Sequence, residues 1–192
     1  AIMAGDEETG ACVFRPVESL DAGPVYRTMR VPIGATTTAG ELLDELACTA
    51  TPLVIATLED IEAGVEPTPQ SAEGVTIAPQ IHPGDVRIAV TADAEEIDHL
   101  VRGASPAPGA WAKLDDKRFK ILQTRFVETG DDVPNSVATA QPGQLVATRK
   151  KLFLGTGSQP LELLQVQAFG KKAINGTDWA RGAHIDAGTR LR

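Results

Sequence analysis

The chain has 192 residues with a hydrophobic share of 42%, enough apolar surface for a core and too much for a disordered segment. No stretch approaches the roughly 18 consecutive apolar residues of a membrane-spanning helix, and the opening Ala1-Ile2-Met3-Ala4-Gly5-Asp6-Glu7 lacks the basic region of a secretory signal. A soluble, cytoplasmic protein without a membrane segment is therefore expected.

The net charge of −8 is unevenly divided: residues 1–83 carry 13 acidic side chains against Arg15, Arg27 and Arg30, whereas residues 84–192 carry 13 against 15 basic ones. An acidic segment joined to a mildly basic one is what arises when one part handles a small molecule and the other touches a polyanion, although ordinary charge fluctuation produces the same split. Cys12 and Cys48 stand at no metal-ligand or disulfide spacing and read as buried, reduced thiols; no metal site is expected.

In chain order, residues 10–15 form a short β-prone run and residues 24–33 alternate apolar with polar at period two, with a turn between them. Thr38-Ala39-Gly40-Glu41 has the form of a capping box, and Leu42, Leu43, Leu46 and Ala47 follow at helical spacing. Pro52 interrupts that helix, and Leu53, Val54, Ile55, Leu58 and Ile61 resume the periodic face, so two packed helical pieces are expected. Residues 63–83 hold Pro67, Pro69, Pro79 and Pro83 without sustained period and read as an extended linker. Asp93-Ala94-Glu95-Glu96 opens a helix carrying Ile97, Leu100 and Val101, which Gly103 is placed to close. Five short β runs follow, around Lys113 and over residues 119–127, 144–148, 151–154 and 161–168, a count that fits a small OB-like barrel.

Asp21, in Ser19-Leu20-Asp21-Ala22-Gly23, reads from the residues alone as a turn aspartate bonded to its own backbone. Arg149, Lys150 and Lys151 cluster in a hairpin turn, and Lys171 and Lys172 follow Gly170; such groups either meet phosphates or are simply solvated. His82, His99 and His184 read as surface histidines.

Three elements in one order carry a family resemblance: Ser19-Leu20-Asp21-Ala22-Gly23, Ser105-Pro106-Ala107-Pro108-Gly109-Ala110-Trp111, and Leu164-Gln165-Val166-Gln167-Ala168-Phe169-Gly170-Lys171-Lys172. Together they resemble the methionyl-tRNA formyltransferase family over essentially the whole chain. The resemblance implies an α/β fold, with a remnant of a Rossmann-like formyltransferase domain over residues 1–65, a linker over 66–83, and an OB-like barrel domain that binds tRNA over 84–192. Residues 1–65 are then expected to leave strand edges and an apolar face open.

The resemblance further implies transfer of the formyl group of 10-formyltetrahydrofolate to the amino group of initiator methionyl-tRNA, with no metal, by a monomeric complete enzyme. Asp21 matches the family's catalytic aspartate, and the turn formed by Arg15, Pro16, Val17, Glu18, Ser19, Leu20 and Asp21 matches the loop that seats the pterin. Lys171 and Lys172 match a Gly-Lys-Lys element, and Arg102 matches a basic position; with Arg149, Lys150 and Lys151 these form the expected tRNA set. The family's upstream Asn-x-His, Ser-Leu-Leu-Pro and Arg-Gly-Ala-Ala-Pro-Val-Gln elements do not occur in the sequence. The chain thus resembles the carboxyl-terminal part of such an enzyme and is expected to be inactive alone. Two alternatives stay open: a non-catalytic tRNA-binding module, and a module of a related folate hydrolase or dehydrogenase.

Overall fold

The computed structural model describes residues 1–128 and 133–192. They form two compact units, one of Ala1 and residues 6–80 (unit 1), the other of residues 2–5 and 81–192 (unit 2).

Unit 1 begins with β1 (Glu8–Phe14) and β2 (Val25–Pro32), paired antiparallel from Glu8 opposite Pro32 to Phe14 opposite Val25. The helices α1 (Ala39–Thr49) and α2 (Thr51–Glu62) follow. Thr38 starts α1 through the reciprocal box read from the sequence: its hydroxyl accepts from the Glu41 amide, and the Glu41 carboxylate accepts from the Thr38 amide at 2.9 Å. That amide and then the Thr38 hydroxyl, which donates to the same carboxylate at 2.8 Å, hold the Glu41 carboxyl below the usual carboxylate range. Ala50 ends α1 and starts α2, which places Pro52 in the first turn of α2, where its missing N–H costs nothing.

Unit 1 buries little apolar surface. Among its hydrophobic side chains Val31 and Leu42 are buried, whereas Leu43, Val54, Ile55, Leu58 and Ile61 are exposed, Ile55 at 55%. Its sheet has only two strands, so each strand has an outer edge; an isolated bridge from Val25 to Thr68 covers the start of β2. The helices are held to the sheet partly by charge, with the Arg27 guanidinium donating to both oxygens of Asp60.

Unit 2 contains the core. It holds α3 (Ala94–Ala104), β3 (Ala110–Leu114), β4 (Lys117–Phe126), α4 (Asn135–Ala138), β5 (Leu145–Ala147), β6 (Leu152–Leu154), β7 (Leu161–Gln167), β8 (Ile174–Asn175) and α5 (Gly176–Gly182). The strands run β3-β4-β7-β6-β5, antiparallel at every step, and β8 adds to β7. Ala94, Ile97, Val101 and Ala104 recur at helical spacing and face a core of Phe119, Ile121, Leu145, Leu152, Leu154, Leu161, Leu163 and Val166. The carboxyl-terminal residues tie the two ends of the strand path together. The Arg192 carbonyl accepts from the Lys113 amide in β3, while the Leu145 amide in β5 donates to the Thr189 carbonyl and the Leu191 amide to the Gly143 carbonyl.

Four expectations are corrected here. Among the described residues this sheet has six strands, the sixth being the two-residue β8, too short to show a period. Gly103 lies inside α3, which runs one residue further. Cys12 and Cys48 are exposed, since neither the two-stranded sheet nor α1 has a second layer over that face. His99 is half-buried, with its ring against Gly5. No helix among the described residues is long and apolar enough to cross a membrane.

Candidate functional site

The β1–β2 connection, residues 15–24, is closed by the Arg15 amide donating to the Pro24 carbonyl at 2.9 Å. Gly23 is required there: any Cβ would overlap the Arg15 carbonyl oxygen. Asp21 takes a left-handed φ of 53°, a conformation that Asp tolerates better than most residues. The Gln70 side-chain amide donates to the carbonyls of Asp21 and Gly23 at 2.8 and 2.7 Å, so a residue 49 positions away in sequence fixes the turn.

Arg15, Pro16, Val17, Glu18, Ser19, Leu20 and Asp21 are all exposed. The Arg15 guanidinium donates to the Tyr26 hydroxyl and to Glu66, and these bonds, Tyr26 first, raise its pKa further above the physiological range. The Asp21 carboxylate makes no hydrogen bond or ion pair with the described residues; only its main-chain carbonyl is engaged. It does not bond its own backbone as an ordinary turn aspartate would. Leu20, Asp21 and Ala22 border an open depression of about 790 Å³ whose other wall is residues 70–78. Unit 1 contains no histidine, since His82, His99 and His184 all belong to unit 2. An aspartate of this kind can orient and charge-stabilise a neighbouring imidazole, but that imidazole has to come from outside the unit.

The basic residues fall into three situations. Arg102 is buried, 7% exposed, and its Nε donates to Asp98 at 2.7 Å, while the second oxygen of Asp98 accepts from the Thr124 hydroxyl. Its charge is thus used inside unit 2, which corrects the expectation that it faces a phosphate. Lys151 is half-buried and pairs with Glu162 at 3.4 Å, beside Arg125, which pairs with the same carboxylate at 2.7 Å. Arg149, Lys150, Lys171 and Lys172 are exposed and have no ion pair with the described residues.

Helix α5 meets residues of both exposed pairs: Thr177 at its start donates through its hydroxyl to the Lys150 carbonyl at 2.9 Å, and Asp178, Trp179 and Gly182 line a groove with Lys171 and Lys172. Buried Gly176 permits this seat, since a Cβ would overlap the Leu163 carbonyl of β7. Trp179 packs on Phe119 of β4 with ring centroids 4.5 Å apart. Trp111 is buried and donates to the Pro83 carbonyl, with Arg118 over its ring. Sequence reasoning missed Gln70, which leaves no local signal, whereas Phe169, quoted within the element that ends in Gly170-Lys171-Lys172, is 66% exposed. Among the described residues no group of three or more His, Cys, Asp or Glu side chains is arranged to hold a metal ion.

Comparison with known proteins places this geometry in a family. The chain is 83% identical over all 192 residues to a methionyl-tRNA formyltransferase of Cutibacterium acnes, covering 61% of that protein. It is 46% identical, again over its whole length, to a methionyl-tRNA formyltransferase of Streptomyces coelicolor, covering 60% of it. The chain therefore spans about three fifths of the length of these relatives. Its fold is shared with HypX from Aquifex aeolicus, solved in complex with tetrahydrofolic acid: the TM-score is 0.71 at 21% identity, over 95% of this chain and 31% of that one. Residues 80–184 match the family described as formyl transferase, C-terminal domain, and the chain belongs to that family.

Proposed function

We propose that this chain is the carboxyl-terminal part of a methionyl-tRNA formyltransferase, acting in the cytoplasm at translation initiation. The observation that carries the proposal is the 83% identity to such an enzyme over every residue of the chain. The reaction moves the formyl group of 10-formyltetrahydrofolate to the amino group of methionyl initiator tRNA. The amine nitrogen attacks the formyl carbon, the C–N bond to the folate breaks after a tetrahedral oxyanion, and the amine's proton ends on the departing folate nitrogen.

Such an oxyanion needs fixed hydrogen-bond donors, and the amine needs a base. Asp21 is assigned the support of that base, a histidine supplied by the part of the relatives' length that this chain does not span. Its uncommitted carboxylate and the clip from Gln70 support the role. Residues 15–21 are assigned to the pterin, whose flat donor and acceptor edges suit exposed main-chain groups. In this reading residues 1–65 are a Rossmann-like remnant, 66–83 a linker and 84–192 an OB-like barrel that holds tRNA through Arg149, Lys150, Lys171 and Lys172, with Lys151 behind them. The tail bonds at Lys113 and Leu145 support a closed barrel. The complete enzyme is taken to be a monomer. Taken alone, the chain is a binding module, because the unit that carries Asp21 holds no histidine.

The test is formyl transfer in single turnover by a full-length polypeptide that joins this chain to the remaining part of its relatives. Asp21→Asn keeps the shape and removes the charge, so the rate is expected to fall by roughly 10²-fold or more while the fold and tRNA affinity hold. An unchanged rate would remove Asp21 from the chemistry, and the absence of any transfer to methionyl-tRNA by the unsubstituted polypeptide would refute the function.

A further inference from the structure

Beside the turn from β7 to β8 lies a groove of about 490 Å³, lined by Ala168, Ile174 and Trp179 with Lys171, Lys172 and Asp178 among the residues around them. Two features set it apart from an ordinary surface crease. The first is charge: Lys171 and Lys172 have no ion pair with the described residues, whereas Asp178 is bonded to Arg181 at 2.8 Å. Two free cations thus border an apolar surface in a chain whose net charge is −8. The second is rigidity. The Lys171 amide donates to the Ala168 carbonyl at 3.0 Å, and the Gln167 side chain donates to the Lys171 carbonyl at 2.8 Å, so the turn is bonded on both sides. Gly170 takes the left-handed φ of 70° that lets the chain reverse there. That bonded turn carries Phe169 at 66% exposure, while Ile174 on β8 is 42% exposed.

An apolar trough lined by Trp179 and Ile174 with uncompensated ammonium groups on its border is a combination that binds unpaired nucleotides. Bases stack on apolar faces irrespective of sequence, and phosphates release counterions to the lysines. We infer that this groove binds an unpaired nucleotide of RNA, its base on the apolar surface of Ile174 and Trp179 and its phosphate at Lys171 and Lys172. The inference rests on the tRNA reading above and deepens it: the lysines alone would hold any duplex backbone, whereas the apolar groups ask for a base that is not stacked in a helix.

The probes are a single-stranded RNA heptamer, an abasic heptamer of the same backbone charge, a glutamate-rich peptide of equal charge, and methionyl-tRNA, each titrated against the whole chain. The RNA heptamer is expected to bind roughly tenfold tighter than the abasic one, in line with a base–aromatic stack. Ile174→Ser, at an exposed position that lines the groove, should erase most of that difference while leaving abasic binding and its salt dependence unchanged, and Phe169→Ala, outside the groove lining, should leave the difference in place. Lys171→Ala with Lys172→Ala should weaken both heptamers together. Equal affinity for the RNA and abasic heptamers, tight binding of the peptide, or an Ile174→Ser chain that prefers the RNA as strongly as before would each overturn the inference. Binding of the RNA heptamer with no binding of methionyl-tRNA would keep the groove and refute the tRNA reading. Tight methionyl-tRNA binding that Ile174→Ser does not touch would do the reverse.

Discussion

Unit 2 packs Phe119, Ile121, Leu163 and Val166 beneath α3, whereas unit 1 buries only Val31 and Leu42 among its hydrophobic side chains and leaves Leu43, Val54, Ile55, Leu58 and Ile61 in solvent. Both units carry amphipathic helices and short strands, so the difference is not one of pattern. It lies in what covers the pattern. The tail of unit 2 returns to bond β3 and β5, while β1 and β2 have no further strand. The unit that carries Asp21 is thus the one without a core of its own, and the unit that carries the exposed lysines is complete.

The largest effect that would break this comparison is on stability. Phe119→Ala should cost about 3–5 kcal/mol in urea unfolding of the chain, as a buried aromatic truncation does. Ile55→Lys should change stability by no more than about 0.5 kcal/mol, because the side chain is already in water. In the full-length polypeptide the same Ile55→Lys should become strongly destabilising if that face is covered there. Equal costs for the two substitutions in this chain would show that unit 1 has a core after all.

A middling effect sharpens the division of labour. Lys171→Ala with Lys172→Ala should weaken methionyl-tRNA binding and lower the log–log salt slope by up to about one to two units, with folate binding unchanged. Loss of folate binding in that variant would place both ligands on unit 2.

The smallest effect is a pH dependence within unit 1. Hydrogen bonds from Arg27 hold the Asp60 carboxyl below the usual range. A depressed folded value contributes stability that is present above the unfolded carboxylate pKa of about 3.9 and lost as pH falls through the folded value. Helix α2 should therefore loosen below about pH 4, read as the amide shifts of residues 51–62. Arg27→Gln should return Asp60 to ordinary titration. An Asp60 that titrates identically in both chains would mean that the Arg27 contact is not populated in solution.

Much of the local structure was legible because its causes are local. The Thr38–Glu41 box, the break before Pro52 and the apolar face of α3 each depend on residues within a turn or two of one another. What escaped depends on distant partners. Gln70 fixes the Asp21 turn from the far side of two helices in sequence, and residues 189–192 bond to strands that precede them by more than 40 positions. The burial of Arg102 follows the same logic: Asp98 one turn earlier was visible, but Thr124 of β4, which completes the buried network, was not. Exposed Cys12 and Cys48 escaped for the opposite reason, since residue type predicts burial only where a second layer exists.

Native-state hydrogen exchange on the chain alone tests the contrast between the units most directly. Amides of α3, β4 and β7 are expected to exchange only through global unfolding, and amides of β1, β2, α1 and α2 to exchange orders of magnitude faster through local opening. Protection in β1, β2, α1 and α2 equal to that of β4 and β7 would contradict the account, because unit 1 would then be as self-sufficient as unit 2.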